Sequence, residues 1–375
     1  MPQMKELLKK LIQAKSTSDV GEIDCANVLA DFFLAAGIEP KVDVWDSNRA
    51  NLTAVLKSAG EKPALLFVGH LDVVPAEKRG WQFPAFGAIE HNGKIFGRGA
   101  CDMKAGITAA AVAMTEIFQS KVELKGDMIF AATAGEETDS AGIRRFLEPF
   151  VKGTCGFCGS IVPEPTNFEL VTAHRGLLWL EIKTKGKTAH GSMPQLGVNA
   201  IESMRLFLNE LVYYDDINVE PDKLLGRSSI SVNKIIGGSA TNIVPDSCLI
   251  QVDIRTLPGQ NHSHIAGDFE KMFSKLSQQD TDFAAELNIL RDVVALDTDP
   301  DCAFVSRLKE LINKSEFKTV PFTTDAPFIA QLNIPVVVFG PGRPELCHKP
   351  DEFIETEDLQ KAIDLYKRII LHFLA

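Results

Sequence analysis

The sequence predicts an α/β protein: a mixed, mostly parallel sheet flanked by helices, carrying an inserted α+β unit. Three observations carry that expectation. Short continuous apolar runs at Ala64–Val68, Met128–Ala134, Gly159–Val162 and Pro335–Phe339 read as strands buried on both faces, the habit of parallel sheets. Helix-compatible stretches lie between several of these runs, as βαβ connections require. From about Arg175 to Leu290 the strands instead alternate apolar and polar residues, and the order β-α-β-β-α-β is that of a ferredoxin-like sandwich. At 375 residues the chain exceeds what one simple core holds. The expected division is a discontinuous α/β domain over residues 1–176 and 291–375, with an inserted domain over residues 177–290.

Taken in order, Lys5–Ala14 and Glu22–Ala36 carry helical spacing, the second closed by Gly37, a residue suited to the position after a helix. Lys41–Trp45 and Asn51–Lys57 follow as extended stretches. Met103–Gln119 is alanine-rich and fits a buried helix, with Asp102 placed to cap its N-terminus. In the insert, Leu178–Lys185 alternates as a half-exposed strand. Val198–Tyr213 then has Ile201, Met204, Leu208, Leu211 and Val212 at helical spacing. Ser229–Ile236 and Cys248–Thr256 are strands, followed by a helix near His264–Leu276 and a strand near Phe283–Leu290. A helix over Cys302–Asn313 and a closing amphipathic helix over Leu359–Leu374 flank the last buried strand.

The composition bounds the partners. A net charge of -11 argues against nucleic acid or anionic membrane as the main partner. No run of about eighteen apolar residues marks a transmembrane helix. The first residues, MPQMKELLKKLIQAKS, form a lysine-bearing amphipathic pattern without a signal core. Seven scattered cysteines read as reduced thiols, which suits the cytoplasm. Cys155 and Cys158 have redox or zinc spacing but no second such pair, and are read as structural thiols.

The chemistry lies at the ends of the apolar runs. His70 follows one, Glu136 and Glu137 a second, Glu164 a third, and His348 lies a loop beyond the fourth, while Asp102 precedes the alanine-rich helix. Sites in open α/β sheets form outside the carboxyl ends of strands, so these residues can converge. His70 and Asp72, two apart on an extended chain, face the same way, whereas adjacent Glu136 and Glu137 should face opposite ways. Each residue alone has an ordinary reading: a satisfied histidine, a solvated glutamate, a helix cap, a turn residue. The coincidence of positions points instead to one site. Histidines with carboxylates and no thiolate suit zinc, cobalt or manganese.

The segments GHLDVVP, GRGACDMKAG, ATAGEET, PEPT, GKTAHGSMPQLGVNAI, GGSATNIVPD, DIRTLPG and GPGRPELCHKPDE span the chain. Together they resemble the dinuclear-zinc M20 amidohydrolases, most closely the subgroup of acetylornithine deacetylase and succinyl-diaminopimelate desuccinylase. The resemblance implies a zinc-exopeptidase-like α/β domain with an inserted dimerisation domain. It implies two zinc ions, one held by His70, Asp102 and Glu164, the other by Asp102, Glu137 and His348, with Asp102 bridging. Asp72 would hydrogen-bond the far nitrogen of His70, and Glu136 would be the general base. His190 would stabilise the oxyanion of the partner subunit's site in a homodimer.

Asn242, Arg255 and Arg175 would contact an N-acyl amino acid, the arginines clamping carboxylate, beside a loop of Thr323, Thr324 and Asp325. The chain departs from the family pattern at Val162–Pro163, just ahead of Glu164, where a small residue is expected. The implied reaction is hydrolysis of the amide of an N-acyl amino acid, with acetyl and succinyl both open. A carboxypeptidase or dipeptidase on the same scaffold is the alternative. A non-catalytic relative would be expected to lack a metal ligand or Glu136, and this chain keeps them all.

Overall fold

A computed structural model describes residues 2–77, 79–151, 156–212, 214, 217 and 219–375. The chain divides into two units, one of Met1–Ala173, Asp297–Val320 and Thr324–Ala375, the other of His174–Leu296 and Pro321–Thr323.

The first unit is organised by a mixed sheet whose four central strands, Met128–Thr133, Ala64–His70, Phe157–Val162 and Val336–Val338, run parallel in that spatial order. Their apolar runs are buried on both faces, as parallel strands between helical layers must be. Arg49–Leu56 and Lys41–Trp45 extend the sheet antiparallel on one side, and Val171–His174 does so on the other. The helix Lys104–Ser120 is buried on nearly every face, and its alanines let neighbouring layers approach. Gly106 is the closest approach: a Cβ there would lie 1.9 Å from the carbonyl oxygen of Pro163. Tyr366 of the closing helix packs edge-on to Phe67 and donates its hydroxyl to the Phe339 carbonyl, locking that helix to two sheet strands.

The second unit is a four-stranded antiparallel sheet in the order Ser229–Gly237, Ser247–Thr256, Gly176–Lys185, Ala284–Val293, with the helices Ala200–Leu211 and His262–Gln279. The ferredoxin-like order follows from alternation, because one sheet face is packed on the helices. The helix core face differs from the expected one. Met204 and Leu211 are buried with Ala200, Ser203 and Phe207, while Ile201 and Val212 are exposed. Phe207 takes the inward position against Phe269 and Phe273. Tyr213, the expected end of this helix, lies outside the described residues, as does Cys155.

Several elements were not legible in the sequence, among them the following. The helix Ala141–Val151 contains Pro149, and its buried face is short, made of Gly142, Ile143, Phe146 and Leu147. Phe353–Glu355 joins Lys94–Phe96 and Ile89–His91 in a small sheet, pairing residues some 260 positions apart. Val171–His174 is a four-residue buried strand following a turn.

Candidate metal centre

His70 ends its strand and is buried, with Nδ1 2.9 Å from the backbone carbonyl of Asp72. A carbonyl only accepts, so Nδ1 donates there and Nε2 is turned inward. Nε2 lies 3.2 Å from Asp102 Oδ1 and 3.6 Å from Glu164 Oε1. His348 approaches the same aspartate from the other side, its Nε2 3.2 Å from Asp102 Oδ2 and 3.0 Å from Glu137 Oε1. Asp102 therefore presents one carboxylate oxygen to each histidine. Donor atoms of His70, Asp102 and Glu164 lie within 4.8 Å of one another, as do those of Asp102, Glu137 and His348.

The electrostatics describe a site with too much negative charge for its neighbours. Burial would lower His70, but Glu164, Asp102 and Asp72 outweigh it and hold the imidazole well above its ordinary value. Contacts with Asp102 and Glu137 raise His348 to about 10. Burial and the charge of Asp102 push Glu137 up, and Glu164 is raised well above the carboxylate range, first by burial and then by Asp102 and Glu136. Asp102 is lowered despite its burial, because two imidazoles face it. Paired imidazoles and crowded carboxylates in this arrangement match the donor chemistry of a divalent cation.

Three expectations change. Asp102 does not cap the following helix: the helix begins at Lys104, no side chain caps it, and the Asp102 carboxylate is engaged by the histidines. Glu136 and Glu137 do not point apart, because the strand stops at Thr133 and Gly135, at φ +79°, turns the chain, bringing both carboxylates toward His70. Asp72 holds His70 through its backbone carbonyl, while its carboxylate is 3.6 Å from the ring. That carboxylate instead accepts the backbone N–H groups of Gly135, Glu136 and Glu137 at 2.9, 3.1 and 2.9 Å. Glu164 reaches the cluster despite Pro163.

In the second unit the expected substrate residues fall into two groups. Asn242 accepts the N–H of Gly191 through its backbone, which places it beside exposed His190. The His190 Nδ1 accepts from the Ser192 N–H at 3.1 Å, which leaves the proton of the neutral ring on Nε2. Both adjoin the end of the sheet where Lys185 pairs with Ser247. Arg255 and Arg175 lie at the opposite end, where Thr256 pairs with Gly176. Ten strand residues separate the two ends, roughly 30 Å at the usual rise. Arg255 is engaged in a two-bond pair with Asp253, Arg175 donates to the Arg227 carbonyl, and Thr323 donates to the Arg175 carbonyl. In the first unit, the N–H of Ala326 donates to the Thr324 hydroxyl, and buried Asp325 begins the helix Ala326–Ala330.

Residues 66–372 match the family model described as Peptidase family M20/M25/M40. The chain belongs to that family. It is accordingly a metal-dependent amidohydrolase, and the His70–Asp102–His348 cluster sits within the matched segment. Among relatives of this M20 chain, a protein of Staphylococcus epidermidis named a probable succinyl-diaminopimelate desuccinylase is 30% identical, covering 98% of this chain and 97% of its own. Solved structures that share the fold include the two that follow. The M20 family metallo-carboxypeptidase Sso-CP2 from Sulfolobus solfataricus has a TM-score of 0.81 at 20% identity, covering 98% of this chain and 97% of its own. The aminopeptidase PepT from Bacillus cereus has a TM-score of 0.75 at 21% identity, with the same shares covered.

Glu352 was missed by sequence reasoning, although it stands in the same segment as His348. A glutamate after Pro-Asp reads as a surface turn, yet this one is fully buried against the loop that carries Asp102.

Proposed function

We propose that this M20 enzyme hydrolyses the amide of an N-succinyl amino acid at a two-ion centre. The observation that carries the reading is Asp102, whose two carboxylate oxygens each face a different histidine, the arrangement a bridging ligand needs. His70 and Glu164 would complete one ion's ligands, and Glu137 and His348 the other's. Two imidazoles and three carboxylates suit zinc, with cobalt or manganese as substitutes. Bound there, such ions supply a water of lowered pKa and polarise the scissile carbonyl.

The chain's own groups do the rest. Asp72 and the turn at Gly135 hold Glu136 beside His70, where its carboxylate takes the proton of the attacking water and passes it to the departing amine. His348 is half-exposed, so the centre is open to substrate on that side. The Nε2–H of His190 would donate to the charge that develops on the carbonyl oxygen. Arg175 and Arg255 would meet the carboxylates of a succinylated substrate, Arg255 leaving Asp253 to do so. The name of the S. epidermidis relative favours succinyl over acetyl.

His190 with Asn242 and Arg175 with Arg255 lie about 30 Å apart along one sheet, too far to grip the same small substrate from one subunit. A homodimer would resolve this, with His190 of the partner subunit supplying the second group. The edge strand Ser229–Gly237 supports such pairing: Ile235 and Ile236 are 59% and 58% exposed on a strand hydrogen-bonded on one side only among the described residues. The six described cysteines are free, which suits the cytoplasm, and no described helix is long and apolar enough to cross a membrane.

The test is a panel of N-succinyl-diaminopimelate, N-acetylornithine and dipeptides offered to the zinc-loaded protein. The reading expects the succinylated substrate to have the highest kcat/KM; a dipeptide preference overturns it. Glu136→Ala should keep its metal and lose turnover, and wild-type rates in that variant would reassign the base.

A further inference from the structure

The Glu352 carboxylate is fully buried and has every lone-pair direction in use. Oε1 accepts the backbone N–H groups of Cys101 at 2.8 Å and Asp102 at 3.0 Å. Oε2 accepts Arg98 Nη1 at 2.7 Å and the N–H of Gly99 at 3.1 Å. Arg98 is itself held, its guanidinium over the Trp81 ring at 5.3 Å and also donating to the Lys349 carbonyl. The Glu352 backbone adds one more tie, its carbonyl accepting the N–H of Gly97 at 2.8 Å.

Glu352 thus grips the turn that ends in Asp102 along its whole length. It also lies four residues after His348, and Arg98 reaches back to Lys349 next to that histidine. One ion pair therefore joins the two loops that bring Asp102 and His348 to within 3.2 Å of each other. The contacts to the Asp102 turn are to backbone and leave the Asp102 side chain free for the histidines.

We propose that Glu352 is a positioning residue of the metal centre, fixing the Gly99–Asp102 turn in its ligating geometry before any ion arrives. The proposal rests on the reading that Asp102 and His348 hold metal. A strut that served folding alone would lower stability and leave ion affinity untouched. A positioning group must change affinity, because its loss makes the ion pay for ordering the turn.

The experiment titrates Zn2+ into the metal-free full chain against a chromophoric chelator, for wild type, Glu352→Gln, Glu352→Asp and Asp102→Ala, with urea unfolding of each metal-free protein alongside. Glu352→Gln keeps the shape but turns an NH2 toward backbone donors. It is expected to raise the Zn2+ Kd about 10- to 100-fold, the usual range for groups supporting ligands, with kcat largely restored at saturating zinc. Glu352→Asp keeps the charge and should show a smaller rise.

A Kd within about twofold of wild type in Glu352→Gln, with a lowered unfolding midpoint, would overturn the proposal, since the natural effect is tenfold or more. Should Glu352→Gln fail to fold, the same criterion is applied to Glu352→Asp. Asp102→Ala separates the two readings. If it binds zinc as wild type does, the metal assignment itself has failed; if it loses zinc while Glu352→Gln does not, only the role of Glu352 has failed.

Discussion

Replacing Asp72 with asparagine asks what holds the loop that carries Glu136 and Glu137. Oδ1 accepts from Gly135 and Glu136, and Oδ2 from Glu137. An asparagine oxygen can keep the first two bonds, but its NH2 then meets the Glu137 N–H, donor against donor. A buried donor left without an acceptor costs about 1–3 kcal/mol, and two surviving bonds weakened by loss of the charge cost about 1 kcal/mol each. Relief from burying a carboxylate offsets part of this, leaving a net destabilisation of about 2–4 kcal/mol.

The direction of the Asp72 titration agrees. Burial would raise the carboxyl, yet His70 and the backbone donors of Glu137 and Glu136 hold it below its usual value. A carboxyl lowered on folding contributes stability above its unfolded value, about pH 4, and that contribution is lost as pH falls further. The assay is urea unfolding of the metal-free protein by tryptophan fluorescence at pH 7. Unfolding free energies equal within about 0.5 kcal/mol, the scatter of ordinary surface changes, would refute the clamp. A defect confined to zinc affinity would show that Asp72 acts through His70 instead.

Two further outcomes follow. Burial lowers the His174 imidazole to about 4, so the unfolded chain takes up this proton first as pH falls below about 6.5. Stability should therefore drop by about 3 kcal/mol between pH 6.5 and 4, and His174→Gln should remove that part of the acid sensitivity; an unchanged pH profile contradicts it. For the proposed homodimer with shared sites, Glu136→Ala and His190→Ala should each be nearly inactive. Co-refolded at equal amounts they should recover about a quarter of wild-type activity, because half the dimers are mixed and each has one intact site. No recovery would mean that His190 serves its own chain.

The central sheet was legible because its strands are continuous apolar runs with no competing pattern, Ala64–Val68 most plainly. The candidate ligands were legible for the same reason: strand ends are fixed points, and His70, Glu137 and Glu164 stand on or just past them. What escaped depends on partners distant in sequence. Glu352 is buried by a turn some 250 residues away, and the backbone targets of Asp72 are invisible to side-chain patterns. The opposed faces expected for Glu136 and Glu137 assumed an extended chain that Gly135 ends. Ile201 and Val212 fit the helical period as well as buried Phe207 does, and only the sheet decides which face turns inward.

Whether Asp102 joins two ions in one centre is decided by counting metal. Wild type and Asp102→Ala would be stripped by chelator, reloaded with zinc and measured by elemental analysis alongside amide hydrolysis. Wild type should hold two ions per chain and regain activity, and Asp102→Ala should lose both tightly held ions and its activity. Hydrolysis that survives chelation, a single ion in wild type, or two ions retained without Asp102 would contradict a bridging Asp102.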